Sequence, residues 1–362
     1  MDNASAKVTV NHLQSLLQHP LLGPPSSQKV DTACSRTAAA AMLEKAMFQR
    51  RASVELIDQC LDVHGTAVTR QNTTANDSSG FGMKLASWFT SSDLETKLQF
   101  LASTDLLGKA VPVMYASGQE ELVWEWLNLL YERGNHAQDK RETSKLGYDV
   151  QTKFWVNHEC YLTFFMIREV LRRKDIHAAI QQFVQACGYM KLSGRISKAV
   201  LFSRPWRSAT VAVLLALLRN RHRHGLSAAL FDDLLAHREA WSDNSFLAHE
   251  LITMYHPTAP SIAPFANTIS AAPEELERRL SLRNLSNPAR QIVLTALMEG
   301  VQLVLEHNAC PARQLELFLD LIEDQHISKT KQRHVGVAQQ RIESIKRLLM
   351  PQSLDVAPSE IT

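Results

Sequence analysis

Three pairs of apolar helical segments, each joined by a short polar break, constrain the fold of this chain most strongly. In the first pair, apolar side chains recur at three- and four-residue spacing over 161–171, stop at Lys174-Asp175 and resume over 176–187. This spacing places the apolar side chains on one face of a helix. Because the break is so short, we predict that the two helices pack antiparallel as a hairpin.

Two later segments repeat this pattern. A second hairpin is predicted over 211–234 with a break at 219–225, and a third over 292–322 with a break at 308–311. The sequence has no strand-like alternation of useful length, and 13 Gly and 13 Pro in 362 residues are few for a turn-rich β protein. We therefore predict an all-α fold, an irregular α-solenoid of stacked hairpins. A single irregular helical bundle is the alternative.

Composition divides the chain into five segments. The longest polar stretch, 66–82, follows a helix that we expect to end at Gly65, and it is predicted to be a loop or linker. The full division is a flexible N-terminal segment at 1–30, a helical part at 31–65, the polar loop or linker at 66–82, a helical-repeat array at 83–350 and a disordered C-terminal tail at 351–362.

Charge is strongly segregated along the chain. Residues 166–224 include twelve Lys and Arg but only two Asp and Glu, a net charge of +10. Because the whole chain has a formal net charge of +2, the remainder has a net charge of −8. A concentrated positive segment predicts a polyanionic or acidic partner, whereas the overall charge predicts nothing.

The turn and second helix of the first hairpin resemble tetratricopeptide and pentatricopeptide repeats in a degenerate form. In the sequence RRKDIHAAIQQF at 172–183, a short charged turn leads into a helix with small, aliphatic and aromatic residues on its packing face. The resemblance extends over about 161–238 and, more weakly, over 292–324. It implies a concave surface that binds a polymer or a partner protein and has no chemistry of its own. In pentatricopeptide-like organellar proteins that polymer is usually RNA.

Motifs of known catalytic and metal sites are missing from the sequence. His249-Glu250 begins like a zinc-protease helix, but Thr253 stands where the second histidine ligand is required. Neither a phosphate-binding G-x-x-x-x-G-K-[ST] nor a G-x-S-x-G nucleophile motif occurs. We therefore predict no catalytic residue, no metal site, no cofactor and no enzymatic activity.

The basic segment is the candidate binding site. Its arginines can hold phosphates in two-pronged fashion, and exposed aromatic side chains can stack on bases. The predicted phosphate contacts are Arg172, Arg173, Lys174, Arg204, Arg207, Arg219, Arg221 and Arg223, and the candidate stacking residues are Tyr189, Phe202 and Trp206.

These residues support one leading hypothesis, a helical-repeat RNA-binding or ribonucleoprotein-associated factor. The alternative is a protein-interaction scaffold that binds an acidic protein or peptide. A third interpretation is purely structural: the cations cap helix C-termini or pair with acidic residues of this chain, such as Asp232-Asp233 or Glu274-Glu275. The sequence does not predict an oligomeric state.

Two R-R-x-S sequences match the pattern preferred by basophilic protein kinases. They end at Ser53 and Ser281, which are therefore candidate phosphorylation sites. Phosphate on Ser53 would lie at the start of a predicted helix, where backbone N–H groups favour it.

The remaining features concern the compartment. The five cysteines are scattered and form no C-x-x-C pair, which is typical of reduced thiols in an intracellular protein. The N-terminus shows neither a secretory signal nor a clear mitochondrial presequence. The most apolar run, 210–218, is too short to cross a bilayer, so we predict no membrane insertion. A mitochondrial or cytoplasmic location is expected.

Overall fold

The computed structural model describes residues 32–71, 80–139, 150–192, 203–241, 246–271, 273–280, 282, 285–327 and 336–349. Within these ranges the chain forms sixteen α-helices and one 3-10 turn, and no β-strand. The one extended pairing there is an isolated antiparallel bridge between Phe246 and Leu280. The predicted all-α class is confirmed.

The helices are α1 (Thr32–Phe48), α2 (Val54–Gln71), α3 (Phe81–Ser91), α4 (Leu94–Leu101), α5 (Thr104–Ala116), α6 (Glu120–Asp139), α7 (Val150–Arg172), α8 (Ile176–Leu192), α9 (Arg204–Arg219), α10 (Ala228–Ala236), α11 (Ala248–Thr253), α12 (Ala263–Ile269), α13 (Pro273–Arg279), α14 (Asn287–Glu306), α15 (Ala312–Ile327) and α16 (Gly336–Leu349).

The chain divides into two compact units, Met1–Thr96 and Lys97–Thr362. In the first unit, α1 packs against α2 and α3. Leu43, Ile57 and Leu85 are fully buried there, one from each helix. The indole Nε1 of Trp88 donates a 3.1 Å hydrogen bond to the carbonyl of Ala52, which fixes the turn between α1 and α2.

The polar stretch predicted as a loop over 66–82 is partly helical. Helix α2 does not end at Gly65 but continues to Gln71, and α3 already begins at Phe81. A glycine inside a helix costs only about 1 kcal/mol relative to alanine. This cost is small enough for α2, whose preceding turns are anchored by the buried Ile57 and Leu61, to continue through Gly65.

Helix α7 is the centre of the second unit, where it packs against α5, α6, α8 and α9. The first predicted hairpin is confirmed, since α7 ends at Arg172 and α8 begins at Ile176. Lys174 closes α7 with a left-handed backbone (φ 63°), and the carboxylate of Asp175 accepts a 2.9 Å hydrogen bond from the N–H of Ala178 to cap α8.

The helices of the second and third predicted hairpins also form, as α9 with α10 and α14 with α15. Their arrangement is not that of a regular stack. Helix α9 packs against α7 and α8 before it in the chain and against α11 and α14 after it. In a regular solenoid each unit contacts only its neighbours. The α-solenoid arrangement is therefore not confirmed.

Gly300 provides a test of packing in the second unit. We expect Gly300→Ala to lower the free energy of unfolding by about 1–3 kcal/mol, as overpacking of a filled core does. A Cβ at Gly300, inside α14, would lie 2.6 Å from Cε1 of Phe265 and 3.0 Å from Cε of Met254. The Phe265 ring is fully buried and cannot move without displacing its neighbours. Urea denaturation followed by circular dichroism measures the change.

Gly188 is the matched control, because it lies inside α8 and a Cβ there would meet no atom within 4 Å. Gly188→Ala should raise stability by about 0.5–1 kcal/mol through helix propensity alone. Equal effects of the two substitutions would contradict the packing described around Gly300.

Candidate ligand-binding surface

The charged turn between α7 and α8 uses two of its three cations internally. Arg172 donates two hydrogen bonds to the carboxylate of Glu169, at 2.9 and 2.7 Å. Arg173 reaches the same carboxylate at 3.4 Å and Glu120 at 3.3 Å, and its guanidinium lies over the Tyr115 ring. The Glu169 side chain is only 3% exposed, so its charge is compensated by these partners and not by water. Arg172 and Arg173 therefore neutralise a buried carboxylate first.

Five further predicted contacts are exposed: four lie on or beside α9, and one lies in the turn after α7. Arg204 and Arg207 are in the first turn of α9, Arg219 is its last residue, and Lys174 is exposed in the α7–α8 turn. Helix rise places Arg204 and Arg219 about 22 Å apart along the axis. Arg223 is also exposed, in the turn after α9. Among the described residues, these five cations have no ion-pair partner.

Arg221 is different from its neighbours, because it joins α9 to α14 and to the end of α11. Its Nε donates a 2.6 Å hydrogen bond to Glu299, its Nη2 donates to the other oxygen of that carboxylate, and its Nη1 donates to the carbonyl of Leu218. The hydroxyl of Tyr255 donates a 2.9 Å hydrogen bond to the carboxylate of Glu299. Nε2 of His222 lies 3.3 Å from the same carboxylate. We call these four side chains, Arg221, His222, Tyr255 and Glu299, the Arg221 cluster.

Electrostatics within the Arg221 cluster favour the ionised carboxylate. Desolvation by itself raises the pKa of Glu299, but the hydrogen bonds from Arg221 and Tyr255 outweigh it and lower that pKa below its ordinary value. Burial and the adjacent Glu299 carboxylate raise the pKa of Tyr255. With a side chain only 12% exposed, Arg221 is a structural ion-pair partner and is not free to contact a ligand phosphate.

Two of the three predicted stacking residues, Trp206 and Tyr189, pack against other aromatic rings of the protein. Trp206 is 1% exposed, its ring stacks on Phe183 at 5.4 Å between centroids, and its Nε1 donates to the carbonyl of Ala240 at 2.8 Å. Tyr189 is half-buried and stacks on Trp124 at 6.0 Å. Phe202 lies outside the described residues. The prediction that Trp206 stacks on bases is therefore wrong, because the ring belongs to the core.

Three of the eight predicted phosphate contacts pair with acidic residues of this chain, as the purely structural interpretation expects. Their partners differ from the acidic residues that the sequence suggested. Glu169, Glu120 and Glu299 pair with Arg172, Arg173 and Arg221. The acidic pair at 232–233 does not, since Asp232 bonds to Nε2 of His256 at 3.0 Å. Glu169 lies three and four residues before the two arginines it binds, a spacing that could have been recognised in a helix.

Other side chains that resembled functional sites have structural partners. Glu250, beside His249 in the incomplete zinc-protease pattern, is buried and bonded to Arg279. Over the described ranges, no group of three or more His, Cys, Asp and Glu side chains is placed to hold a metal ion. No helix in those ranges is both long enough and apolar enough to cross a membrane.

Comparisons with known protein families, with curated proteins and with solved structures gave no match. The resemblance to tetratricopeptide and pentatricopeptide repeats therefore stays a prediction, and the exposed cations of the second unit are the basis for a functional proposal.

Proposed function

We propose that this chain is a non-catalytic binding protein that holds RNA, alone or in a ribonucleoprotein, through the phosphates of its backbone. The observation that supports this most directly is the position of Arg204 and Arg207. Both are exposed in the first turn of α9, where the helix dipole disfavours positive charge, and neither pairs with a described carboxylate. A bound phosphate would compensate both charges and accept hydrogen bonds from them.

The rest of the proposed contact surface consists of Lys174, Arg219 and Arg223. Together with Arg204 and Arg207 they lie at both ends of α9 and at the end of α7, so the ligand must extend over more than one phosphate. Because the aromatic candidates Tyr189 and Trp206 are engaged within the protein, base stacking does not contribute through them. The proposed binding is therefore electrostatic and weakly dependent on base sequence.

The sequence is compatible with two helical arrangements, an irregular α-solenoid and a single irregular bundle. The hairpin of α7 and α8 supports the first, and the contact of α9 with α14 supports the second. We favour the bundle, because Arg221 and Glu299 join segments 78 residues apart. The proposed RNA surface is then the outer face around α9 and not a groove between repeats.

The alternative ligand is an acidic protein or peptide, which the same cations would attract. The lack of a free aromatic platform at Trp206 favours this alternative, because sequence-tolerant RNA binding often uses stacking. The two ligands differ in their response to salt and in their need for apolar contact. An acidic peptide that competes for the protein better than RNA at physiological salt would support the alternative.

We expect the double variant Arg219→Glu with Arg223→Glu to bind single-stranded RNA at least tenfold more weakly, about 1.4 kcal/mol or more in free energy. Each lost phosphate contact should also reduce the log–log salt slope by about 0.7, or about 1.4 for the pair. Fluorescence anisotropy with a pool of labelled single-stranded RNA, titrated from low to physiological salt, measures both quantities.

The matched control is Arg133→Glu with Arg313→Glu, two exposed arginines on α6 and α15 that change the net charge equally. Arg221 must be left unchanged, because its removal affects folding. A wild-type protein that does not bind RNA even at low salt would disprove the proposal. An equal loss of affinity in the control variant would show that total charge, and not the surface around α9, determines binding.

A further inference from the structure

The two R-R-x-S sequences have very different environments in the folded chain. In the second one, Arg278 pairs with Glu275, and Arg279 donates to the buried carboxylate of Glu250 and, at 3.2 Å, to the hydroxyl of Thr268. Leu280 is fully buried and pairs with Phe246 in an antiparallel bridge. Ser281 itself lies outside the described residues. A protein kinase binds its target segment in an extended conformation within the kinase cleft. The ion pairs of Arg278 and Arg279 and the burial of Leu280 hold this segment against the protein and therefore oppose such binding.

The first R-R-x-S sequence lies in the exposed turn between α1 and α2. Arg50, Arg51 and Ser53 are all exposed, and neither arginine has an ion-pair partner among the described residues. Arg50 has a left-handed backbone (φ 55°), so helix α1 has already ended before the motif begins. Both specificity-determining cations are therefore available to a kinase, unlike Arg279.

Ser53 is held only by interactions typical of a helix end. Its hydroxyl oxygen accepts a 3.4 Å hydrogen bond from the N–H of Leu56, and its carbonyl accepts one from the N–H of Ile57 at 3.1 Å. A hydrogen bond from the Ser53 hydroxyl lowers the pKa of Glu55. For the motif to become extended, this first helical turn must open and the 3.1 Å hydrogen bond from Nε1 of Trp88 to the carbonyl of Ala52 must also break. This costs less than releasing Arg279 from the buried carboxylate of Glu250 and Leu280 from the core.

From this contrast we infer that Ser53 is a phosphorylation site for a basophilic protein kinase and that Ser281 is not. In the reaction the Ser53 Oγ forms a bond to the γ-phosphorus of ATP, and the bond from that phosphorus to the bridging oxygen breaks, releasing ADP. The hydroxyl proton passes to a carboxylate base of the kinase. This inference is independent of the proposed RNA binding, because it concerns the first unit and the exposed turn alone.

Phosphorylation would change the electrostatics at the start of α2. The phosphate adds about 1.5 to 2 negative charges, which the N-terminal end of a helix and the exposed Arg50 and Arg51 favour. It also places that charge beside Glu55, which loses its hydrogen bond from the serine hydroxyl. The modified turn would present a phosphate flanked by two arginines on the surface of the first unit.

The test uses the full chain and two synthetic peptides, spanning residues 48–57 and 276–285, with the catalytic subunit of a basophilic kinase and Mg-ATP. Both peptides should be phosphorylated, since both contain the motif. In the folded chain we expect phosphate on Ser53 to accumulate at least about tenfold faster than on Ser281, because modification of a closed segment follows the population of its open form. Peptide mass spectrometry assigns the site.

The variants complete the test. Ser53→Ala should abolish the fast phosphorylation, whereas Ser281→Ala should leave it unchanged. Arg51→Ala, which keeps the serine, should slow it by at least about tenfold through loss of one recognised cation. Failure of the 48–57 peptide to react, absence of phosphate on Ser53 in the folded chain, or equal rates at Ser53 and Ser281 would each overturn the inference.

Discussion

Replacing Trp206 by alanine is expected to lower the free energy of unfolding by about 3–5 kcal/mol, the largest effect of any substitution considered. The indole is 1% exposed and stacks on Phe183, and its removal leaves a cavity between α8 and α9. The carbonyl of Ala240 also loses its 2.8 Å hydrogen bond. Urea denaturation followed by circular dichroism gives the midpoint and slope of the unfolding transition, and from them the free energy of unfolding.

The more conservative substitution Trp206→Phe separates the contribution of ring packing from that of the hydrogen bond. It keeps an aromatic ring against Phe183 and removes the N–H donor, which should cost about 1–3 kcal/mol for the carbonyl of Ala240 left unsatisfied. RNA affinity of the folded protein should remain unchanged in both variants. Undiminished stability together with lost RNA binding would mean that Trp206 contacts bases after all.

The second large effect is expected at Arg221, whose replacement by alanine should destabilise the fold by about 3 kcal/mol. The substitution leaves Glu299 with Tyr255 and His222 as its only other partners within the Arg221 cluster. We take the lower end of the range for broken buried pairs, because the Glu299 side chain is 28% exposed and water screens it in part. The same denaturation measurement applies.

Arg219→Ala is the matched control, since Arg219 is exposed, two residues away and without a described ion-pair partner. Its effect should stay within about 0.5 kcal/mol, as is usual for a surface substitution. A double-mutant cycle of Arg221→Ala with Glu299→Ala then isolates the pair energy. Equal destabilisation by Arg219→Ala and Arg221→Ala would refute the structural role of Arg221.

The difference in stability between wild type and Arg221→Ala should depend on pH, and the pKa of Glu299 determines the direction of that dependence. The pKa of Glu299 in the folded chain lies below its ordinary value of 4.5, so its ionised form stabilises the fold above that pH. The stability gap between wild type and Arg221→Ala should therefore be largest near neutral pH and narrow on acidification, as Glu299 becomes protonated first in the variant and then in the wild type. A gap that widens on acidification would contradict the assigned hydrogen bonds.

Local sequence patterns predicted the helices well because each depends on neighbouring residues. The turn of Lys174 and Asp175 ends one helix and caps the next, and both interactions lie within four residues. The local pattern does not predict that α2 continues past Gly65, because glycine is typical of helix ends and the anchoring of the preceding turns by the buried Ile57 and Leu61 depends on tertiary packing.

The candidate site was harder to predict because partners of charged groups are distant in sequence. Nothing near Arg221 indicates that Glu299, 78 residues later, will neutralise it. The prediction that Trp206 stacks on bases failed for a different reason. It shares a helix face with Ala209 and Val213, which are both buried, so a spacing of three and seven residues already indicated a core position.

The pairing of Arg221 with Glu299 has a consequence for the order in which the protein is made. During translation Arg221 leaves the ribosome 78 residues before Glu299, an interval of roughly 4 to 16 s at usual synthesis rates. Throughout that interval the face of α9 that later packs against α14 is not covered by that helix. The guanidinium of Arg221, in the turn after α9, also lacks the carboxylate of Glu299. The nascent chain therefore presents an apolar, positively charged surface, and chaperones that recognise such surfaces have seconds in which to bind it.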